Sequence, residues 1–177
     1  MSGNDERPVA GAERWHFETG GLLQGSPTLV GGTIYVGSAD GHLYAVDAES
    51  GEQRWTFETE RWIESTARVV DGTVYVGSAD KHLYAVDAAN DAERWQLTMD
   101  GVTGSAPTVV DNTVYVGNSR RLFVVDATNG RENWNFEAGY EIGTTPVVEG
   151  DTVYVGSDDH NLYAVATGST ESDTSGQ

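Results

Sequence analysis

The chain has 177 residues, enough for one domain or two small ones, and it is strongly acidic. Its 28 Asp and Glu residues against 10 Lys and Arg residues leave a formal charge of −18. A surface of this sign repels phosphates, so we exclude a protein that binds nucleic acid electrostatically. The absence of cysteine excludes disulfides, thiolate nucleophiles and thiolate metal sites.

The sequence also predicts where the protein works. No run approaches the roughly 18 apolar residues needed to span a bilayer, and the first six residues lack the basic and apolar regions of a signal peptide. The basic residues are nine Arg and a single lysine, Lys81, while the acids are spread evenly. Such a surface suits concentrated salt, where the Debye length falls to about 3 Å or less. We therefore expect a soluble, cytoplasmic protein of a halophile, with an acidic domain from a mesophile as the alternative.

In chain order, the first predicted element is a Trp-containing strand over residues 11–17, after a disordered segment over residues 1–10. The next unit is predicted to form strands over residues 26–30, 33–37, 42–47 and 54–58, which are short, β-branched and aromatic. Apolar residues fall on both sides of these strands, so both faces of the sheet are expected to be covered. The first two strands of each unit meet at turns that favour positive φ: Gly31-Gly32, Asp71-Gly72, Asp111-Asn112 and Gly150-Asp151.

The same unit recurs four times. Each of its markers is spaced by 40, 40 and 39 residues, and the missing residue is placed in the turn after Gly117. A four-stranded sheet of about 40 residues, covered on each face by its neighbours, is typical of a propeller blade. We therefore predict an all-β fold, a β-propeller of four four-stranded antiparallel blades over residues 11–166, followed by a disordered acidic tail over residues 167–177. The markers are Trp15, Trp55, Trp95 and Trp134, Tyr35, Tyr75, Tyr115 and Tyr154, and Gly37, Gly77, Gly117 and Gly156.

The segments VYVGSADKHLYAVDA (residues 74–88) and AVDAESGEQRW (residues 45–55) resemble the repeats of the pyrroloquinoline-quinone-type (PQQ-like) propeller family. That family carries a motif Ala-x-Asp-x-x-Thr-Gly-x-x-x-Trp, which the first unit follows with Ser in place of Thr. The third unit keeps the Asp, Gly and Trp, whereas the second loses the Gly. The resemblance implies that each Trp of the motif packs between adjacent blades, a structural docking role for Trp15, Trp55, Trp95 and Trp134. Large indoles at a fixed position of an outer strand would each bury up to about 250 Å², which supports the same role.

The resemblance also raises the question of a cofactor. Quinone-dependent dehydrogenases of the family hold the quinone on the central axis with a calcium ion and an Asp that acts as base. None of those residues can be placed on this sequence, whose loops are short. We therefore predict no cofactor, no metal and no catalytic residue. His42 and His82 occupy equivalent turn positions on separate blades, too far apart to share a metal, and the turn aspartates are expected to accept backbone N–H bonds.

The two ends of the chain complement each other. The last unit has three strands and no Trp strand after them, while the first Trp strand has no unit before it. Pairing them would complete a fourth blade and cover exposed edges. Two arrangements satisfy this: a closed four-bladed ring in one chain, or two chains that exchange strands in an eight-bladed ring, the number that the family most often builds. Packing between blades that suits eight blades favours the dimer or an open half-ring.

The most individual segment is the second crossover, residues 60–68. Trp62 lies outside the repeating Trp position, and Arg with Trp is a composition typical of binding hot spots. The candidate contact patch is Arg61, Trp62, Glu64 and Arg68. The alternative is that Trp62 fills a gap beside neighbours that resemble Leu22 and Val102, while the two arginines pair with local acids. Tyr140 and Glu141 of the last crossover are a weaker candidate.

These observations favour a non-catalytic propeller that serves as a binding or assembly platform. Its partner is an unidentified protein or small ligand, without nucleic acid or a membrane span, and a homodimer by strand exchange is possible. The alternative is an enzyme, a degenerate quinoprotein oxidoreductase or half of one that requires dimerisation. A third hypothesis is a module of a longer repeat protein.

Overall fold

The computed structural model describes residues 9–168, which form fifteen strands and, over that range, no helix. Consequently no helix in this part of the chain could cross a membrane. The strands are β1 (Thr28–Val30), β2 (Thr33–Gly37), β3 (His42–Asp47), β4 (Gln53–Glu58), β5 (Arg68–Val70), β6 (Thr73–Gly77), β7 (His82–Asp87), β8 (Glu93–Thr98), β9 (Thr108–Val110), β10 (Thr113–Asn118), β11 (Arg121–Asp126), β12 (Glu132–Glu137), β13 (Val147–Glu149), β14 (Thr152–Ser157) and β15 (Asn161–Ala166).

These strands form four antiparallel sheets, which we call blades 1 to 4 in chain order. Blades 1 to 3 contain β1–β4, β5–β8 and β9–β12, and blade 4 contains β13–β15. The inner strands β1, β5, β9 and β13 are neighbours in that order. The predicted all-β propeller fold with four repeated sheets is confirmed. In blade 1 the second and third strands have the predicted bounds, the first is two residues shorter, and the fourth begins one residue earlier.

The turn between the first two strands adopts the predicted backbone in blades 1 to 3, whereas in blade 4 only Gly150 of the pair Gly150-Asp151 has a positive φ, of 58°. Gly31 and Gly32 have φ of 57° and 75°, and the non-glycine pair Asp111 and Asn112 has φ of 46° and 60°. Two consecutive residues with positive φ form the tight turn whose twist matches that of antiparallel strands. The missing residue also lies in a turn: β10 and β11 pair as far as Asn118 and Arg121, so only two residues join them.

The core consists of three hydrophobic clusters, one between each pair of consecutive blades. In the first, Tyr35 and Leu43 of blade 1 pack against Val74, Val76 and Tyr84 of blade 2. We call the side of a blade that packs on the next blade its back face, and the side that packs on the preceding blade its front face. Alternate side chains of each strand point to the two faces, which is why the strands are apolar throughout.

Residues 11–17 do not form the predicted strand in the single chain. They lie against the front face of blade 1, where the rings of Phe17 and Tyr44 are 5.3 Å apart. Over residues 9–168, β15 pairs with β14 alone, so the chain's own first segment does not complete blade 4 as the four-bladed ring requires. The physical reason is that a strand needs an edge to pair with, and β15 lies at the opposite end of the array from residues 11–17. Completion of blade 4 by a second chain stays a prediction.

Candidate binding surface

The second crossover is held by backbone hydrogen bonds to the turns of two blades. The Ile63 amide donates to the Ser38 carbonyl of blade 1 at 2.9 Å, and the Ala79 amide of blade 2 donates to the Trp62 carbonyl at 3.0 Å. The Thr59 hydroxyl lies 2.6 Å from the carbonyl oxygen of Arg61. The backbone under the candidate patch is therefore fixed before binding. Less conformational entropy is then lost when a partner binds.

Neighbouring side chains of this crossover point in opposite directions. Ile63 is fully buried against Gly37, whereas the Trp62 side chain is 37% exposed. The Arg61 guanidinium carbon lies 4.7 Å from the centroid of the Trp62 ring, a cation–π contact. The structure therefore brings Arg61 and Trp62 together as one exposed pair on a buried anchor.

The other two predicted residues lie on the same segment but farther along it. Glu64 is half-buried, and Arg68 is exposed on the inner strand β5. At the position of Arg68, Thr28 of blade 1 and Thr108 of blade 3 donate to carbonyls of the next blade, those of Ala67 and Pro146. Blade 2 therefore has a charged side chain, that of Arg68, where blades 1 and 3 have a hydroxyl group that bonds to the next blade.

The alternative interpretation of these arginines required local acidic partners. Within the described range, neither Arg61 nor Arg68 lies within 4.0 Å of a carboxylate oxygen in an ion pair, although Arg54, Arg94, Arg120 and Arg121 do. The positive charges of Arg61 and Arg68 are thus not matched by ion pairs inside the part of the chain that the structure describes. Arg14, Lys81 and Arg131 also lack an ion pair among the described residues, so the feature that distinguishes Arg61 is its contact with the Trp62 ring.

Sequence reasoning treated Leu22 and Val102 only as neighbours of a buried Trp62, and it missed their exposure. Both occupy the position of Trp62 in their own crossovers, and both are exposed. Their carbonyls accept from Ala39 and Ser119 as the Trp62 carbonyl accepts from Ala79. The same backbone geometry therefore presents an apolar side chain on one side of three successive blades. The repeat position itself was the signal that could have identified them.

Three of the four repeat tryptophans make an equivalent hydrogen bond to the blade that follows. The indole N–H groups of Trp15, Trp55 and Trp95 donate to the carbonyls of Ala48, Ala88 and Ala127 at 3.2, 3.0 and 2.9 Å. Trp134 is half-buried and lines a cleft between blades 3 and 4 together with Val148 and Thr167. Trp55, Trp95 and Trp134 thus lie at junctions between two blades, whereas Trp15 packs on blade 1 alone.

The repeat motif forms the surface on which such an indole rests. The Asp47 carboxylate accepts from the amides of Glu49 and Ser50 at 2.9 and 2.8 Å and so shapes a turn that ends at Gly51. Arg54, followed by these amides, holds the pKa of the Asp47 carboxyl well below its usual range. Gly51 has φ of 74°, and a Cβ there would stand 2.7 Å from Cδ2 of Trp15. The glycine of one blade therefore makes room for the indole of the segment before it.

The histidines and turn aspartates form local contacts. His42 Nδ1 lies 3.3 Å from Asp40, and His82 Nδ1 lies 3.2 Å from Asp80. In residues 9–168, no three His, Asp or Glu side chains are grouped closely enough to hold a metal ion. Residues 9–168 therefore contain no carboxylate cluster of the kind that holds calcium.

The fold and its repeats define a class of protein, one built from propeller blades of about 40 residues with an indole at each junction. A family model described as "Outer membrane protein assembly factor BamB" matches residues 5–101 and 79–171. The chain belongs to this PQQ-like repeat family. No curated protein gives a significant match to the sequence.

Solved structures show the same fold. BamB from Moraxella catarrhalis is 22% identical, with a TM-score of 0.78 over 87% of this chain and 53% of its own. The computationally designed Ika4 protein is 17% identical, with a TM-score of 0.80 over 89% of this chain and 99% of its own. A quinohemoprotein alcohol dehydrogenase from Pseudomonas putida HK5 is 18% identical, with a TM-score of 0.74 over 85% of this chain and 33% of its own. The chain thus spans about half the length of BamB, and at these identities the likeness shows the fold alone.

Proposed function

We propose that this chain is a non-catalytic propeller module that binds another protein or a small ligand as an assembly platform in the cytoplasm of a halophile. The observation that carries the proposal is the exposed Arg61–Trp62 pair, fixed on a crossover whose backbone is bonded to two blades. Arg and Trp are the residues most enriched among those that dominate binding energies. The family description names an assembly factor, which agrees with such a role.

The electrostatics of the surface favour a partner that meets Arg61, Trp62 and Arg68 with carboxylates and an apolar or aromatic group. Most of the surface is acidic, so an acidic partner is repelled except where these arginines neutralise it. Glu64 lies on the same segment as these arginines and would repel a further carboxylate of the partner at that point. In this proposal, specificity comes from one basic, aromatic contact on an acidic surface, and the platform itself is a homodimer formed by strand exchange.

The test compares the double variant Arg61→Ala/Trp62→Ala with a control, Arg120→Ala/Arg131→Ala, which changes two exposed arginines in turns of blade 3 that lie outside the candidate patch. Wild type and both variants are used to capture partners from the lysate of a halophile in multimolar KCl, and a captured protein is purified for titration calorimetry. We expect the patch variant to lose at least 30-fold in affinity, equivalent to about 2 kcal/mol, and the control to lose less than threefold.

Unchanged thermal unfolding of both variants establishes that they are folded. Equal affinity of wild type and the patch variant for the purified partner would contradict the proposal.

An oxidoreductase is the second candidate, since a quinohemoprotein alcohol dehydrogenase shares the fold. It is tested by incubating the protein with the quinone and Ca²⁺ and measuring absorbance and dye reduction. A bound chromophore with substrate-dependent dye reduction would favour the enzyme over the platform.

A further inference from the structure

The back face of blade 4 exposes residues whose equivalents are buried in every other blade. Leu162 of β15 is 77% exposed, whereas Leu43, Leu83 and Leu122 at the same position are each 0% exposed. Tyr154 of β14 is 39% exposed, although its equivalents are buried at the junctions. This face therefore has the composition of a junction between blades but lacks the blade that would cover it.

The front face of blade 1 shows the complementary pattern. Leu23 in the first crossover is 50% exposed, whereas Ile63 and Ile142 at the same position are 0% and 1% exposed. Leu29 of β1 is exposed as well, while its equivalents Val69 and Val148 pack against the clusters between blades. Both ends of the array are thus unpaired halves of the same kind of junction.

The interlocking of crossover side chains with glycines shows how the halves fit. Ile63 fills the space beside Gly37, Thr103 that beside Gly77, and Ile142 that beside Gly117, so that no Cβ would fit on these glycines. Each contact joins a blade to the crossover that leads into the next one. Gly156 is the equivalent glycine of blade 4, and within residues 9–168 the three atoms nearest to a Cβ there all belong to Thr144 of its own blade, not to a following crossover. Its missing partner in the series is Leu23, at the other end of the chain.

Residues 12–18 carry the sequence of an outer strand. They read AERWHFE, and the outer strands read EQRWTFE over residues 52–58, AERWQLT over residues 92–98 and RENWNFE over residues 131–137. Residues 15–20 also make the contacts that an outer strand and the residues after it make with the following blade: the Trp15 indole donates to the Ala48 carbonyl, and the Gly20 amide donates to the Asp40 carboxylate at 2.7 Å.

We infer that two copies of this chain close an eight-bladed ring, in which residues 13–18 of each copy form the fourth strand of the other copy's blade 4. By analogy with β4 on β3, Glu18 lies opposite the partner copy's residue at position 161, and Trp15 opposite that at position 164. Leu23 then covers the glycine at position 156 of the partner copy. Because both ends of each chain are used, the assembly contains two identical junctions and closes on itself.

A second copy fits these ends better than the chain's own termini do. Residues 15–20 remain docked on blade 1 while β15 stays open, and the four blades superpose on about half of a larger relative. Ring closure within one chain would bury Leu162 and Leu23, and both are exposed. The inference deepens the homodimer part of the proposed function and rests on it, but it does not involve Arg61 or Trp62.

The absence of cysteine allows a direct test with engineered disulfides. The full-length double variant Glu18→Cys/Asn161→Cys is oxidised in multimolar KCl, where repulsion between two chains of charge −18 is screened, and is analysed on a non-reducing gel. We expect a covalent dimer of about 38 kDa, twice the 19.0 kDa of one chain. The matched control His42→Cys/Glu58→Cys introduces the same register pair inside blade 1 and should close a disulfide within a monomer.

Mixing the two single variants identifies the partner strand, since Glu18→Cys and Asn161→Cys should cross-link with each other and neither with itself. A monomer with an internal disulfide would instead demonstrate a ring closed by one chain and overturn the inference. A double variant with free thiols, together with a monomeric mass of the wild type by light scattering in the same salt, would also overturn it.

A further variant guards against misfolding of the cysteine mutants. Leu162→Glu should convert the dimer into a folded monomer, whereas Trp62→Ala should leave the mass unchanged. A dimeric Leu162→Glu would contradict the proposed junction. A dimer that binds no partner would contradict only the proposed platform function. A monomer that binds a partner through Arg61 and Trp62 would contradict only the inferred eight-bladed ring.

Discussion

Blades 2 and 4 are built from almost the same strand sequence but differ in burial. Blade 2 contains Leu-Tyr-Ala-Val at residues 83–86 and blade 4 the same four residues at 162–165. Both segments form the third strand of a sheet and pair with the strand before it in the same register. Yet Leu83 is completely buried and Leu162 is exposed. Strand formation in this protein is therefore decided within each repeat, whereas burial is decided by the neighbouring repeat.

The difference has an energetic consequence. Full burial of a leucine side chain contributes roughly 1.5–3 kcal/mol relative to an exposed one. Blade 2 gains this contribution on both faces, and blade 4 gains it only on the face turned to blade 3. As in other repeat proteins, stability is then mainly a sum of junctions between neighbours, and the outermost blade has the most to gain from another contact.

The largest effect is expected for an indole at an internal junction. Trp55→Ala should lower the free energy of unfolding by about 3–5 kcal/mol, because it leaves a large cavity between blades 1 and 2 and removes the hydrogen bond to Ala88. Trp134→Ala, beside the half-covered blade 4, is the matched comparison and should cost less, since this indole is only half-buried.

Both tryptophan variants are measured by denaturant unfolding in salt identical to that of the wild type. A loss below 1 kcal/mol for Trp55→Ala would contradict the docking role, and equal losses at the two positions would contradict the contrast between internal and outer blades.

A smaller effect distinguishes two equivalent glycines. Gly37→Ala should destabilise the protein by about 1–3 kcal/mol, because the new Cβ would overlap Ile63 in a close-packed junction. Gly156→Ala places its Cβ 3.0 Å from the methyl group of Thr144, an exposed residue that needs to move by only a few tenths of an ångström. We expect it to change the unfolding of the monomer by less than about 0.5 kcal/mol.

The pair is compared at two protein concentrations. If Leu23 of a second copy covers Gly156, the Gly156→Ala penalty appears only at the concentration at which the dimer forms. The same penalty for both glycines in the monomer would show that blade 4 is covered within the chain.

Much of the fold could be predicted because its determinants are local. The second and third strands of blade 1 were predicted to the residue, since their β-branched and aromatic runs end at turn residues such as Gly31-Gly32. The one-residue deletion was predicted in the turn of blade 3 because a turn accepts it without shifting the register of β10 and β11. Local turn chemistry and the period of the repeat carry this information.

Contacts between blades could not be predicted in the same way. Nothing in the sequence marks Ile63 as the side chain that covers Gly37, because the two residues meet only after the chain has crossed to the next blade. For the same reason residues 11–17 were predicted as a strand, although strand pairing depends on an edge elsewhere. In the candidate patch, composition identified Arg61 and Trp62, but their contact depends on the orientation of a crossover that only the fold provides.

The smallest expected effect is a pH dependence that blades 1 and 4 share and blade 3 lacks. In blade 4 the Asp159 carboxylate accepts from the Tyr163 hydroxyl at 2.7 Å and from the amides of Gly139 and Asn161 at 2.8 and 3.0 Å. Desolvation raises the pKa of Asp159, but these hydrogen bonds outweigh it and hold the pKa at about 2, below the ordinary 3.8. Asp40 accepts the equivalent bonds in blade 1, and its pKa is lowered as well. Blade 3, with its shorter turn, has no aspartate there.

Because the pKa of Asp159 is lower in the folded than in the unfolded chain, its contribution to stability is complete above pH 4 and is lost as the pH falls toward 2. Asp159→Asn should therefore be less stable than the wild type at neutral pH, and the gap should close between about pH 4 and pH 2. Tyr163→Phe removes one of four donors to the carboxylate, the fourth being the Asn161 side-chain amide, so it should raise the pKa of Asp159 toward its ordinary value and narrow the pH range over which stability is lost. Unfolding at constant KCl over this pH range, with carboxyl NMR of Asp159, measures both effects. A gap that persists undiminished at pH 2 would show that the turn depends on the shape of the side chain rather than on its charge.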